Sequence, residues 1–286
     1  MRWLERALAA LPEPTAEWLI HALYRMPGFT RVHLACPVCG ARPDWVEHIA
    51  PLSPLDRCPR CTHVFARRSP GKLVLQLIYR NLGYWRQDKE HQGIDHIAYG
   101  PQWDGFIRSR IEPMKQFGAL GEPPQRVFEI GCSEGMLLHA LKRAGYEVLG
   151  CDVNAPTAES GAATLGVPIR VGLFEELDLP AAHYDVVASF HTIEHLTDLD
   201  RTFAAICRIL KPGGAVFIEV PTGPEEYGNR DHVQFFSEAS LQRLLARYFE
   251  VAEIQPNRYT TTHGVHIGAL FGVGRGVRPS PLPIQP

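Results

Sequence analysis

The chain has 286 residues, of which 45% are hydrophobic and 21% are charged, and its formal net charge at pH 7 is −2. These proportions are ordinary for a globular protein and allow one sizeable hydrophobic core with a small accessory unit. A near-neutral charge provides no general attraction to nucleic acids or anionic membranes, so such a partner would have to be recognised by a local patch.

The N-terminal sequence has the features of neither a secretion signal nor a membrane anchor. Its opening residues, MRWLERALAALPEP, include Glu5 and Arg6 and lack the continuous apolar segment that a signal peptide requires. No apolar run reaches the length that spans a bilayer. We therefore expect a cytoplasmic protein without a membrane partner, in which residues 1–30 form two short helices.

Four of the seven cysteines form two close pairs within residues 31–70, at Cys36, Cys39, Cys58 and Cys61. Two residues separate the cysteines of each pair, so both thiolates of one loop can bind one ion, and two such loops complete a tetrahedral site. An odd total with this spacing favours a metal in a reducing compartment over disulfides. We predict a structural zinc site, with iron as the alternative because CPxC loops also occur in rubredoxin-like sites.

Residues 71–123 are predicted to be mainly helical, and to cover the domain that follows as a lid and linker. The segment is rich in aromatic residues, of which Tyr84, Trp85 and Tyr99 are candidate lid residues. Alternatively, these three side chains only pack within the helices. The sequence GEPP at its end is typical of a linker.

From residue 124 to 274, short apolar runs alternate with amphipathic helical segments. The runs are RVFEIG, EVLGCD, PIRVG, YDVVASF and AVFIEVP. Such alternation predicts a parallel sheet covered by helices on both faces. The last two runs, YFEVAEI and VHIGALFGV, are joined by a polar loop, so we expect them to pair in an antiparallel manner. Residues 275–286 are rich in proline and are expected to be disordered.

The turn after the first of these strands has the composition of a ligand-binding loop. Glu129 precedes Gly131, and Ser133 and Gly135 follow at alternating positions. Small residues let the backbone approach a ligand at the carboxyl end of the strand. Asp152 ends the next strand, where a carboxylate can accept both hydroxyls of a ribose. The spacing differs from the GxGxxG of nicotinamide-binding proteins, so the loop fits a nucleoside joined to an amino acid, whose ammonium Glu129 can hold.

Five motifs occur in order with natural spacing, namely EIGCSEG, Asp152, YDVVASFHTIEHL, LKPGG and HVQFFS. Together they resemble class I S-adenosylmethionine (SAM)-dependent methyltransferases, especially the group with a Glu-His pair after the fourth strand. The resemblance covers about residues 124–273. It implies a Rossmann-like α/β fold with a seven-stranded, mostly parallel sheet, to which this chain adds a small N-terminal zinc ribbon and a helical lid.

The resemblance also implies which residues surround the cofactor SAM. They are Glu129, Gly131, Ser133, Gly135, Asp152 and Phe174. Two positions depart from the family pattern, because Ser133 replaces a frequent glycine and Leu173 stands where family members often have an acid near the adenine. Adenine recognition would therefore depend on backbone groups near Leu173 and Phe174.

Two histidines are candidates for a catalytic base. His191 follows the fourth strand and His232 follows the fifth, so we expect both at the rim where the family brings donor and acceptor together. Methyl transfer requires an aligned nucleophile and, for a hydroxyl or a carbon acid, removal of its proton. A neutral imidazole suits that step near pH 7. Alternatively, both histidines only line the site.

The segment from His191 to His195 also matches the HxxEH pattern of some zinc peptidases. Its position directly after a strand in a βαβ series, without a convincing third ligand, argues against that interpretation. The resemblance to methyltransferases instead explains Glu194 and His195 as a turn that shapes the SAM site.

We predict a SAM-dependent methyltransferase that acts on the oxygen, nitrogen or carbon of a small molecule such as a sugar or a secondary metabolite. Cysteine ribbons also precede enzymes that methylate ribosomal RNA, and residues 31–80 contain eight basic side chains against three acidic ones. An RNA methyltransferase is therefore an alternative, although the net charge counts against it. A non-catalytic binding module and a NAD-dependent enzyme are further alternatives that the intact loop and its spacing disfavour.

Overall fold

The computed structural model describes residues 28–42, 55–71, 103–222, 232–260 and 266–284, with isolated positions 15, 18, 19, 22, 23, 26, 73–75 and 77. These residues form a small cysteine-containing module and a larger α/β domain. Most of the two helices expected over residues 1–30 lie outside the described residues, as do the candidate lid residues Tyr84, Trp85 and Tyr99.

The cysteine module consists of short antiparallel strands around the two CxxC loops. Strand β1 (Thr30–Val32) pairs with β4 (Arg68–Pro70), and β2 (Leu55–Arg57) pairs with β3 (Val64–Ala66). All four cysteines are buried. We use the term cysteine module for residues 30–42 and 55–70.

The α/β domain begins with helix α1 (Asp104–Gln116) and then alternates strands and helices along the chain. The elements are β5 (Arg126–Ile130), α2 (Met136–Arg143), β6 (Glu147–Asp152), α3 (Ala155–Leu165), β7 (Ile169–Val171), β8 (Tyr184–Phe190), α4 (Leu199–Ile209), β9 (Leu210–Pro221), β10 (Gln234–Phe235), α5 (Glu238–Tyr248), β11 (Phe249–Thr260) and β12 (His266–Val277). Single turns of 3₁₀ helix cover Phe174–Glu176 and Ile193–His195.

Seven strands form one sheet in the order β11-β12-β9-β8-β5-β6-β7. Strand β12 runs antiparallel to the other six strands, which are parallel to one another. The expected mostly parallel sheet and the expected antiparallel pair at the end are therefore confirmed. From β5 the chain proceeds outward through β6 and β7 and then returns to β8 on the other side of β5. In such a sheet, ligands bind where the strand order reverses, at the carboxyl ends of these central strands.

The central strands are hydrophobic on both faces because helices cover both sides of the sheet. In β8, with the sequence YDVVASF, every residue except Asp185 is buried. Helix α4 buries Leu199, Phe203 and Ile206, whose spacing of four and three residues forms one apolar face. This packing on one face of the sheet holds the carboxyl ends of β5 and β8 in place.

The C-terminal segment differs from the expectation of disorder. Residues 275–277 complete β12, and the backbone N–H groups of Arg278 and Leu282 donate to the carbonyls of Tyr248 (2.9 Å) and Arg247 (2.7 Å) at the end of α5. Proline composition excludes a regular helix or strand beyond this point, but backbone groups between prolines can still dock on a neighbouring helix end.

A search of the described residues for a helix that is both long enough and apolar enough to cross a bilayer finds none.

Candidate active site

The loop after β5 turns sharply against the end of β8. Gly131 has a φ of +71°, and a Cβ at this position would collide with the hydroxyl of Thr192. Its N–H donates to the carbonyl of Cys151 at 2.9 Å. Only glycine satisfies both the left-handed backbone and the close approach, so the loop passes directly against Thr192 at the switch point of the sheet.

Asp152, at the end of β6, holds this loop in place. Its Oδ2 accepts the N–H of Ser133 at 2.9 Å, and its Oδ1 accepts the N–H of Asn154 at 2.8 Å. Ser133 itself has a φ of +51°, which is unusual for a residue with a side chain. Asp152 therefore links the loop after β5 to the start of the segment after β6.

Glu129 is buried next to the same loop, with 5% of its surface exposed. Burial raises the pKa of this carboxyl to about 8, with Arg110 lowering it and Asp152 raising it further. Within the described part of the chain, its Oε2 has no hydrogen-bond partner. An unpartnered buried carboxyl is costly unless a ligand supplies the partner, so this position fits a cationic group.

The Phe174 side chain lies in the core, where its ring centroid is 5.5 Å from that of Phe128. Any contact of this residue with adenine would therefore involve its backbone, as the sequence predicted. The neighbouring Glu175 was not predicted as a site residue. Burial raises its pKa, and its buried Oε2 has no partner among the described residues. Its only sequence signature is an acid two positions after Leu173.

His191 lies between two carboxylates at the carboxyl ends of β8 and β9. Its Nδ1 is 3.6 Å from Oε1 of Glu194, and its Nε2 is 3.7 Å from Oε1 of Glu219. Burial lowers the pKa of His191, but these carboxylates outweigh burial and raise it to about 9. His191 is therefore protonated at neutral pH, and it lacks the free lone pair that a general base needs.

His232 has the opposite character. Its ring is buried, lies 4.6 Å from the ring of His195 in an edge-to-face contact, and has its Nε2 3.9 Å from Oε1 of Glu194. Burial lowers the pKa of His232 to about 3, and His195 lowers it further while Glu194 raises it. The imidazole is therefore neutral at pH 7. The structure thus brings both candidate histidines to Glu194 but gives them different charges.

Glu219 was missed from the sequence, although a lone acid inside the apolar run AVFIEVP could have drawn attention to it. Glu219 is 4% exposed, and its backbone carbonyl accepts the N–H of His191 at 2.9 Å. A further grouping was also not predicted, because the ligand atoms of Glu194, His195 and His232 lie within 4.8 Å of one another. We treat these three as a histidine–carboxylate cluster.

The four cysteines of the module come together as predicted. Sγ of Cys36 is 3.6 Å from Sγ of Cys61, and Sγ of Cys39 is 3.5 Å from Sγ of Cys58. These separations exclude disulfides, whose S–S bond is about 2.05 Å. Four sulfurs bound to zinc at about 2.3 Å in a tetrahedron lie roughly 3.8 Å apart. The cluster therefore has the donor set and nearly the spacing of a four-thiolate metal site.

Part of the chain is similar to curated methyltransferases. A ubiquinone biosynthesis O-methyltransferase from Sinorhizobium fredii is 30% identical over 130 residues, which are 42% of this chain and 52% of the relative. A probable S-adenosylmethionine-dependent methyltransferase from Mycolicibacterium smegmatis is 34% identical over 126 residues, which are 42% of this chain and 49% of the relative. The chain thus spans about half the length of these relatives.

Among solved structures, a SAM-dependent methyltransferase from Archaeoglobus fulgidus superposes with a TM-score of 0.54 at 15% identity, covering 67% of this chain and 99% of that chain. At this identity the likeness shows the fold alone. The family model described as "Methyltransferase domain" matches residues 104–253, which is just over half of the chain and includes the glycine loop, Asp152 and both histidines. The chain therefore belongs to this family of methyltransferase domains.

Proposed function

We propose that the chain transfers a methyl group from SAM to a small-molecule acceptor. The observation that carries the proposal is the unpartnered, buried Glu129 carboxyl beside a glycine loop that Asp152 holds open. SAM carries an ammonium group, a ribose and an adenine, and this site has a candidate partner for each. Bound SAM supplies an electrophilic methyl group on a sulfonium.

The residues fit the cofactor in the following way. The Glu129 carboxylate holds the ammonium group, and the Asp152 carboxylate accepts the ribose hydroxyls. The backbone of residues 131–135 faces the amino-acid part of the ligand, where a side chain at Gly131 would collide with Thr192. Leu173 and Phe174 offer backbone groups to the adenine, and Glu175 adds an acceptor for its amino group.

The acceptor side has a negative electrostatic character. Glu194 and Glu219 together carry two negative charges against the single positive charge of His191, and burial strengthens their effect. A net negative environment favours a sulfonium cation. Of the two histidines proposed from the sequence, we retain His232 as the candidate base, because it alone keeps a proton-accepting lone pair at pH 7, and its pKa of about 3 makes it a weak base in the free protein. His191 instead contributes a positive charge that offsets the repulsion between the two carboxylates.

A small molecule fits better than RNA as the acceptor. Relatives that are named for O-methylation in ubiquinone biosynthesis support a small acceptor and an oxygen atom. Two arginines of the cysteine module form ion pairs, Arg31 with Asp198 at 2.7 Å and Arg67 with Asp56 at 2.8 Å. These guanidinium groups are not available as phosphate contacts without breaking those pairs.

We further propose that the four cysteines hold a structural zinc ion. Four thiolates leave no open coordination position, so the ion would stabilise the module and take no direct part in methyl transfer. The close approach of the sulfurs across the two CxxC loops supports this assignment.

Calorimetric titration of the full chain with SAM and with S-adenosylhomocysteine tests the cofactor. Asp152→Ala removes the loop contact and two acceptor oxygens, so we expect a loss of roughly 100-fold in affinity. Glu147→Gln is the matched control, because Glu147 lies at the other end of β6 and pairs with exposed Arg126. Absence of SAM binding to the folded, metal-loaded protein would refute the proposal. Transfer of a labelled methyl group to small phenols, alcohols and amines, beside RNA, then identifies the acceptor class.

A further inference from the structure

The cysteine module contacts the α/β domain at the segment that carries His232. Strand β10 adds to the edge of β3, with Gln234 opposite Phe65, and completes a three-stranded sheet with β2. The N–H of Ala66 donates to the carbonyl of Val233 at 2.9 Å. The backbone of Val233, the residue that follows His232, is therefore fixed by a hydrogen bond from the module.

The other side of this segment is bound to the turn that carries Glu194. The N–H of Val233 donates to the carbonyl of Glu194 at 2.9 Å, and Nε2 of Gln234 donates to the carbonyl of Leu196 at 3.1 Å. The segment thus lies between the module and the 3₁₀ turn of Glu194 and His195. Movement of the module would move both His232 and the carboxylate that it faces.

His63 connects the cysteine cluster to Gln234. It follows Cys61 by two residues, is fully buried, and accepts the N–H of Cys58 with its backbone carbonyl at 2.8 Å. Its Nε2 lies 2.8 Å from Oε1 of Gln234. Because the amide nitrogen of Gln234 donates to Leu196, its amide oxygen faces His63, and Nε2 of His63 carries the proton in this contact.

A second polar contact secures the same CxxC loop on the far side of β10. The hydroxyl of Thr62 lies 2.6 Å from the hydroxyl of Ser237, and Ser237 donates to the carbonyl of Cys61 at 3.3 Å. Ser237 also caps α5 by accepting the N–H of Ser240. Two side-chain hydrogen bonds therefore hold the loop of Cys58 and Cys61, one from His63 to Gln234 in β10 and one between Thr62 and Ser237 just after β10.

We propose that His63 and Gln234 are positioning residues that make the cysteine module part of the acceptor side of the active site, because they hold His232 against Glu194. A module that only stabilised the protein would need no series of hydrogen bonds from a CxxC loop to the 3₁₀ turn of Glu194 and His195. The significance for catalysis rests on the function proposed above. The structural coupling itself does not, and it can be tested without turnover.

The coupling predicts a selective effect of damage to the module. The residues proposed to hold SAM lie on β5, on β6 and in the loops that follow β5, β6 and β7, whereas the module pairs with β10. Loss of the bridge should therefore release His232 while SAM affinity stays within about 2-fold of the wild type, since sites without shared contacts behave nearly independently.

The test measures the reaction of His232 with diethyl pyrocarbonate in the full chain, by peptide mass spectrometry, with His139 on α2 as the internal reference. His63→Leu removes the hydrogen bond, and we expect the rate at His232 to rise at least about 10-fold as local opening exposes its ring. His63→Gln retains an N–H donor and should restore protection. His33→Leu is the matched control, because His33 is a buried histidine of the same module that bonds Ser69 instead.

Two further variants keep the result decisive. Gln234→Leu breaks the bridge from the other side without altering the module, and Cys61→Ser disrupts the cysteine cluster without touching the histidine–carboxylate cluster. We expect both to expose His232. If His232 remains protected in these variants and in His63→Leu, the module only stabilises the chain and the proposal is wrong. Failure of the wild type to bind SAM would instead refute the proposed function, while the reactivity of His232 would still decide the coupling.

Discussion

The backbone N–H of Ser133 donates a 2.9 Å hydrogen bond to Oδ2 of Asp152, and this contact ties the loop after β5 to the end of β6. The same carboxylate that is proposed to receive the ribose therefore also sets the shape of the loop that receives the amino-acid part of SAM. The two halves of the cofactor site are coupled through one side chain, so damage to Asp152 should affect more than one contact.

The left-handed backbone of Ser133 predicts a graded response to substitution. At a φ of +51°, a β-branched side chain is strained, so Ser133→Val should lower the free energy of unfolding by about 1–2 kcal/mol. Ser133→Gly should relieve the strain. Ser133→Ala is the control that removes only the hydroxyl, which donates to Oε2 of Glu134 at 2.5 Å. Urea unfolding measures the series, and equal stability of the Val and Ala variants would contradict the strained backbone.

Glu129 should release a proton when SAM binds. Its pKa of about 8 means that the carboxyl is mainly protonated at pH 7 in the free protein, and an ammonium group favours the ionised form. Binding at pH 7 should therefore release a proton, and affinity should rise as the pH increases from 6 towards 9. Calorimetry in buffers of different ionisation enthalpy measures the released proton. Proton release that persists in Glu129→Gln would assign it to another group.

His191 and His232 should titrate far apart. NMR titration of labelled histidines should show His191 still protonated at pH 8 and titrating near pH 9, because Glu194 and Glu219 face it. His232 should stay neutral down to about pH 4, because it is buried and faces His195, Glu194 and His191. His191→Gln and His232→Gln assign the resonances. Coincident titration of both near pH 6.5 would contradict the proposed division of roles.

The two shifts also predict opposite contributions to stability. The pKa of His191 is raised in the folded state, so its contribution is complete below about pH 6.5 and is lost as the pH rises through about 9. The pKa of His232 is lowered, so its contribution is present above about pH 6.5 and is lost as the pH falls towards 3. Unfolding of each Gln variant against the wild type across pH 5–9.5 should show stability differences that change in opposite directions.

Metal analysis should find one zinc ion per chain. Cys61→Ser should lose this metal and lower stability, because structural zinc contributes directly to folding. Glu194→Gln is the control that leaves the thiolates intact and should keep the full zinc content. A second equivalent of metal that disappears in Glu194→Gln would place an ion in the cluster of Glu194, His195 and His232. Visible absorption typical of iron–thiolate bonds would show that the four cysteines bind iron and not zinc.

The sequence predicts most of the local structure and the residues of the proposed cofactor side, because both depend on short-range patterns. The strands around EIGCSEG and the end of β6 at Asp152 follow from periodicity and glycine placement. The proximity of the four cysteines follows from two repeated spacings.

The contacts of the proposed acceptor side could not be predicted in the same way, because they join distant segments of the chain. The charge of His191 is set by Glu219 on a different strand, and the neutrality of His232 is set by burial. No local pattern indicates the pairing of Gln234 with Phe65. The backbone hydrogen bond from the Leu282 N–H to the Arg247 carbonyl is also a tertiary contact, and the proline content of this segment does not predict it.

The sharing of β10 between the two parts of the molecule has a consequence for biosynthesis. His63 and Gln234 are 171 positions apart in the chain, so the ribosome synthesises β5 to β9 of the α/β domain before β10 can pair with β3. Until then β3 has an open edge, which is a template for pairing with another chain. A module expressed alone would keep that edge exposed and would be prone to pair with other chains.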